Sequence, residues 1–127
     1  MLPFSTDSPG LFRGGLLQDE RRRTPRFPFI ATAEVIEKGA QAGLSARVTE
    51  LGLYGCYVEM PDPLTKGSQA VFKVYSEGRY FESTGVVVYS QPSHGIGVCF
   101  QNVSPHYLPV LKQWLVEAAH AKFGNKA

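Results

Sequence analysis

The sequence predicts an all-β domain followed by a C-terminal helix. Three observations carry this reading. Apolar residues alternate with a period of two in several segments between positions 27 and 100, Gly- and Pro-rich turns separate those segments, and beyond residue 104 the apolar period lengthens to that of a helix. At 127 residues, with 43% hydrophobic and 19% charged, the chain has room for one domain with a buried core.

The elements follow in order. Residues 1–19 contain Pro3, Pro9, Gly10, Gly14 and Gly15 without sustained periodicity and read as a flexible N-terminal leader. Leu11, Phe12, Leu16 and Leu17 in that leader offer an apolar arm. From Phe27, "FIATAEVIEK" is rich in β-branched residues and ends at the turn "GAQAG". "LSARVTEL" places Leu44, Ala46 and Val48 on one face and Ser45, Arg47 and Thr49 on the other. After "GLYG", the segment "CYVEM" puts Cys56, Val58 and Met60 on a shared face, and "PDPLTKG" forms a proline-led loop. "AVFKVYSEGRYFESTGVVVYS" reads as two strands joined at Glu77 and Gly78, a tight hairpin. "HGIGVCF" supplies a sixth strand with Ile96, Val98 and Phe100 alternating. Six short strands at regular spacing predict a barrel or a sandwich.

In "SPHYLPVLKQWLVEAAHAKFG", Tyr107, Val110, Leu111, Trp114, Leu115 and Ala118 recur at helical spacing. Ser104 is placed to cap, Pro109 restricts the regular helix to begin near that residue, and Gly124 is a stop. The apolar stripe predicts a helix lying as a lid on the sheet, with a homodimer seam as the competing use.

Composition excludes several functions. No apolar run approaches the roughly 18–20 residues of a membrane span, and "MLPFSTDSPG" lacks the basic and apolar regions of a secretory signal. A cytoplasmic protein that does not engage membrane is the expectation. Cys56 and Cys99 form no Cys-x-x-Cys pair and have no zinc-like spacing to His94, His106 or His120, so two reduced, buried thiols and no metal or cofactor are expected. No Gly-x-Ser-x-Gly, His-Glu-x-x-His, P-loop or dinucleotide fingerprint is present. Asp19, Glu20, Glu50, Glu59 and Glu82 form no recognisable acid/base pair in sequence. The expectation is a protein that is not an enzyme.

The most informative stretch is "ERRRTPRF", residues 20–27, which holds four of the seven arginines and no lysine. Without these four, nine basic residues would face eleven acidic ones, so the net charge of +2 is a local feature. A local cluster points to a discrete anionic ligand more than to a nucleic acid polymer. A guanidinium offers phosphate a planar fork of donors and stacks its face on an aromatic base. Pro25 prevents Arg22 and Arg26 from continuing along one helix, so they can approach a ligand from two sides of a bend.

Arg21-Arg22-Arg23-Thr24-Pro25-Arg26 resembles the RRxxxR signature that opens the PilZ domain, a bacterial receptor module for the second messenger cyclic di-GMP. "ELGLYG", residues 50–55, occupies the place of the family's second signature, [D/N]xSxxG. "GIGVCF", residues 95–100, is similar to its last-strand pattern. The resemblance implies a PilZ-like domain over residues 20–122, with 123–127 as a tail, folded as a six-stranded antiparallel β-barrel closed by one α-helix.

It also implies a ligand site. Arg21, Arg22 and Arg26 would contact guanine edges, guanine faces and phosphates, while Arg23 sits at a variable position and gives electrostatic support. Glu50 stands where Asp or Asn is usual and keeps the carboxylate. Gly52 stands where Ser is usual and lacks its hydroxyl, and Gly55 is retained. The function implied is a non-catalytic cyclic di-GMP receptor whose arginine loop and second-motif turn clamp the dinucleotide and alter a surface read by an unidentified protein partner. The alternative is a degenerate module acting as a nucleotide-independent protein-interaction adaptor, as a monomer or homodimer.

Overall fold

The alternation of β-branched and polar side chains produces six strands in the computed structural model, which describes residues 25–124. The expected leader, and Arg21, Arg22 and Arg23, lie outside the described residues. The strands are β1 (Arg26–Glu37), β2 (Leu44–Gly52), β3 (Gly55–Glu59), β4 (Gln69–Ser76), β5 (Arg79–Gln91) and β6 (Gly95–Gln101). They pair antiparallel in the order β1-β2-β3-β6-β5-β4, and β4 returns to β1 to close the barrel. Closure leaves the sheet without a free edge, which distinguishes a barrel from the sandwich that periodicity alone allows.

The inward positions form one core. Val35, Val48, Leu51, Val58, Phe72, Val74, Phe81, Val87, Ile96 and Val98 are buried. A single helix among the described residues, α1 (Leu108–Gly124), covers the barrel. Its Leu111, Trp114 and Ala118 are buried, with Tyr107, Val110 and Leu115 packed alongside the core. Trp114 meets Phe29 of β1 at a ring-centroid distance of 5.2 Å and Phe81 of β5 at 6.3 Å. The helical stripe is therefore a lid on the barrel, held at one side by Arg79, whose Nη2 donates to both carboxylate oxygens of Glu117 at 2.8 and 3.1 Å. Ser104 caps the preceding turn, accepting from the His106 N–H on its hydroxyl and from the Tyr107 and Leu108 N–H groups on its carbonyl. Pro109 then falls in the first turn, where its missing N–H removes no helical hydrogen bond. The helix runs to Gly124, two residues beyond the expected domain edge at 122.

Two departures from simple alternation matter. Pro28 cannot donate to a ladder, and the β1–β2 register shifts between Pro28 and Ala31. The shift accompanies Phe29 against Trp114 and Ile30 left 63% exposed. A second shift, in the β2–β3 ladder between Val48 and Glu50, interrupts the alternation and brings Leu51 inward beside Val48. Leu44 keeps the face of Ala46 and Val48, opposite the buried Val35, and is exposed as the first residue of β2. Cys99 also differs from expectation: the two cysteines form no disulfide with each other, but only Cys56 is buried, because Cys99 faces outward between the inward Val98 and Phe100.

The Glu77–Gly78 hairpin forms as predicted, with φ of 48° and 79° at its two central residues, the left-handed pair of a type I′ turn. Two other glycines are set by close approach. A Cβ on Gly55 would fall inside contact distance of the Val98 carbonyl oxygen, a backbone atom of β6. A Cβ on Gly97 would meet the ring of Tyr89, a surface side chain that can rotate away. Gly55→Ala is expected to destabilise by about 2–3 kcal/mol and to lower the melting temperature by about 10 °C or more. Gly97→Ala is expected to cost about 1 kcal/mol or less. Thermal unfolding followed by circular dichroism checks both, and equal melting temperatures would contradict the account.

Candidate functional site

The outer face of β1, β2, β3, β6 and β5 is organised by strand register into three rows. In the first, Arg26 opens β1 opposite Gly52, the last residue of β2, and Gly55 opens β3 opposite Cys99. In the second, Pro28, Glu50, Tyr57, Gly97 and Tyr89 stand side by side across all five strands. In the third, Arg47 and Glu59 pair across β2 and β3, with Gly95 and Gln91 continuing the row.

The first row brings the two sequence motifs together. A Cβ placed on Gly52 would lie 3.1 Å from Arg26 Cγ and 3.1 Å from the Pro25 carbonyl oxygen. One placed on Gly55 would lie 3.2 Å from Arg26 Nη2. The Arg26 side chain thus runs over both glycines, its stem on Gly52 and its guanidinium reaching Gly55. Glycine at 52 is what leaves room for that stem, since a serine would have to displace it or the Pro25 carbonyl by a few tenths of an ångström. Glu50, Gly52, Gly55 and Arg26 therefore share one patch, while Arg21 and Arg22 fall outside the described residues.

The second and third rows add residues that sequence reasoning missed. Tyr57 and Tyr89 are near-parallel, with centroids 6.2 Å apart and planes 30° apart, and the Tyr89 ring lies over Gly97. The Tyr57 hydroxyl donates to Gln91 Oε1 at 2.5 Å. Arg47 Nη2 donates to Glu59 Oε1 at 2.7 Å. Tyr57, Glu59, Tyr89 and Gln91, with Thr49, Glu50, Ser93 and His94, line an open groove of about 640 Å³. Tyr57 and Glu59 follow Gly55 at a period of two and were legible as outward-facing. Tyr89 and Gln91 come from a strand some thirty residues later, and only the β6 register places them there.

Charge divides this face into two parts. The Arg26 end is cationic, and among the described residues Glu50 makes no ion pair. Burial is the main influence on Tyr57, whose phenol is pushed above its usual range, and the neighbouring Tyr89, Glu59 and Glu50 push it further. The groove is thus electronegative beside an electropositive rim. Beneath Arg26, burial pushes the Cys56 thiol up to about 12, with the guanidinium pulling weakly the other way. Among the described residues no three His, Cys, Asp or Glu side chains gather as metal ligands do. No described helix is long and apolar enough to cross a membrane.

Comparison with known proteins decides the family. The family described as PilZ domain matches residues 20–117. The chain belongs to the PilZ domain family. PilZ domains are non-catalytic receptor and adaptor modules whose known role is cyclic di-GMP signalling. Among solved structures, this PilZ chain is similar to the Bacillus subtilis inhibitor of motility (MotI/DgrA), with a TM-score of 0.64 and 14% identity. The alignment covers 81% of this chain and 53% of the other, so the PilZ chain spans about half the length of that protein. At this identity the likeness is one of fold, the six-stranded barrel with its C-terminal helix. No curated protein matches.

The two thiols of this PilZ barrel are expected to behave differently. Cys99 should react with a thiol reagent in the native protein, and Cys56 only on unfolding. Folded Cys56 holds its proton to about pH 12 whereas an unfolded thiol releases it near 9, so the folded state binds the extra proton between those values. Stability falls as pH rises through that window. Denaturant unfolding at about pH 8 and pH 10.5 should show the wild type losing about 1–2 kcal/mol more than Cys56→Ala. An equal loss in both would contradict this assignment.

Proposed function

We propose that this protein is a non-catalytic receptor for cyclic di-GMP, held by the arginine segment on one side and by Glu50, Gly52 and Gly55 on the other. The observation that carries the reading is the pairing of Arg26 with Gly52, which puts the end of the first motif directly on the second. Two phosphates and two guanine Hoogsteen edges, each with O6 and N7 acceptors, match a cluster of guanidiniums. Arg21 and Arg22 supply further forks, and Arg23 contributes charge. Glu50 is placed to accept from guanine N–H groups. Binding orders the arginine segment and changes the surface presented to a protein partner, with no bond made or broken.

One observation favours a second reading, a nucleotide-independent adaptor. Gly52 lacks the hydroxyl of the family's serine, and the Arg26 stem lies 3.1 Å from where a Cβ at that position would sit. Losing a hydrogen bond to a charged group costs about 1.5–3 kcal/mol, or roughly 10- to 150-fold in affinity.

Isothermal titration with cyclic di-GMP separates the two. Under the receptor reading the wild type binds, Arg26→Ala weakens binding by roughly tenfold or more, and Arg23→Ala changes it by less than about threefold. Equal losses at both positions would indicate charge alone. No heat from folded protein at ligand up to ~100 μM, a threshold near 5.5 kcal/mol of binding, would leave the adaptor reading standing.

A further inference from the structure

The open groove across β2, β3, β6 and β5 carries Glu50, Tyr57, Glu59, Tyr89, Gln91 and His94 on one surface. Its carboxylates, Glu50 and Glu59, are offset in part by Arg47 at the side, whose Nη2 donates to Glu59 Oε1 at 2.7 Å. Glu59 Oε2 and both oxygens of Glu50 pair with no cation among the described residues. His94 Nδ1 lies 2.9 Å from the Pro92 carbonyl oxygen, which only accepts, so that nitrogen carries a hydrogen and donates. With His94 neutral, the groove and Arg47 sum to −1, and with His94 as imidazolium they sum to zero, so the groove is never net cationic. The aromatic part offers faces. Tyr57 has its hydroxyl engaged by Gln91 Oε1, and the near-parallel Tyr89 ring lies over Gly97 and is 41% exposed. A guanidinium uses both kinds of partner, pairing with a carboxylate through its edge and stacking on a tyrosine through its face. An ammonium pairs as a point charge and stacks less.

Size selects the kind of partner. From β2 to β5 the groove crosses three strand spacings, roughly 14 Å, the length of about four extended residues. The Arg47–Glu59 pair at its side is exposed, so it holds weakly and yields to an incoming guanidinium. We propose that this groove is the docking site for an extended, arginine-bearing segment of a protein partner, whose guanidinium pairs with Glu59 and stacks on Tyr89. The inference goes beyond cyclic di-GMP binding and does not rest on it, since no nucleotide takes part.

The probe is a pentapeptide, Gly-Arg-Ala-Arg-Gly, blocked at both ends and titrated into the full chain while NMR chemical shifts are followed. The arginine peptide should bind, with shifts centred on Tyr57, Glu59, Tyr89 and Gln91. Its lysine version should bind about three- to tenfold more weakly, and its neutral citrulline version not measurably. Glu59→Gln should weaken binding about three- to tenfold, and His94→Lys, which adds a cation, should also weaken it. Arg47→Gln, which removes the competing cation, should tighten it. Glu37→Gln removes an exposed carboxylate of β1 outside the groove and should leave binding unchanged. No shifts from folded protein at ~5 mM peptide, or shifts centred elsewhere, would overturn the proposal. So would equal binding of the lysine peptide, or equal losses in Glu59→Gln and Glu37→Gln, which reduce the effect to charge alone. Spermidine binding as tightly as the arginine peptide would assign the groove to small polyamines, and peptide affinity that falls as protein concentration rises would assign it to a second copy; either result overturns the proposal. Thermal unfolding of each variant checks that the barrel is retained.

Discussion

At Gly55 the backbone of β3 lies so close to the Val98 carbonyl of β6 that no side chain fits between them. Much of the site depends on that approach. It seats β3 between β2 and β6, and so sets which outward residues of distant strands become neighbours. It also leaves a shallow floor across Gly52 and Gly55 on which Arg26 lies flat. Gly55, retained from the second motif, is in the folded protein the close contact between β3 and β6 beside which the candidate patch lies.

The resulting surface is not uniformly basic. Arg26 forms a cationic rim, and one row away Glu50, Glu59 and the stacked Tyr57 and Tyr89 form an anionic, aromatic groove. The arginine run precedes both. Phe29, three residues after Arg26, packs on Trp114 of α1, so the start of β1 is tied to the lid of the barrel as well as to the candidate site.

Much of the fold was legible because each element carries its own period. The six strands, the Glu77–Gly78 turn and the lid helix were readable from spacing, and the order of the three motifs pointed to the barrel. What failed were positions where one residue shifts the register. Leu51 is out of phase with Val48 in sequence, yet the shift between Val48 and Glu50 brings both inward. Cys99 was expected inside on cysteine's general habit, but its outward parity in β6 decided otherwise.

For the candidate site the division is similar. The sequence alone determined that arginines cluster beside a proline, that Glu50, Gly52 and Gly55 follow at a fixed spacing, and that the chain resembles a PilZ domain, because these are local facts of residue type and order. The tertiary structure alone decided that Arg26 lies over both glycines, and that Tyr89 and Gln91 join Tyr57 and Glu59 in one groove. Those neighbours are made by backbone hydrogen bonds between strands far apart in the chain. Their partners depend on register and barrel closure, which no local pattern encodes.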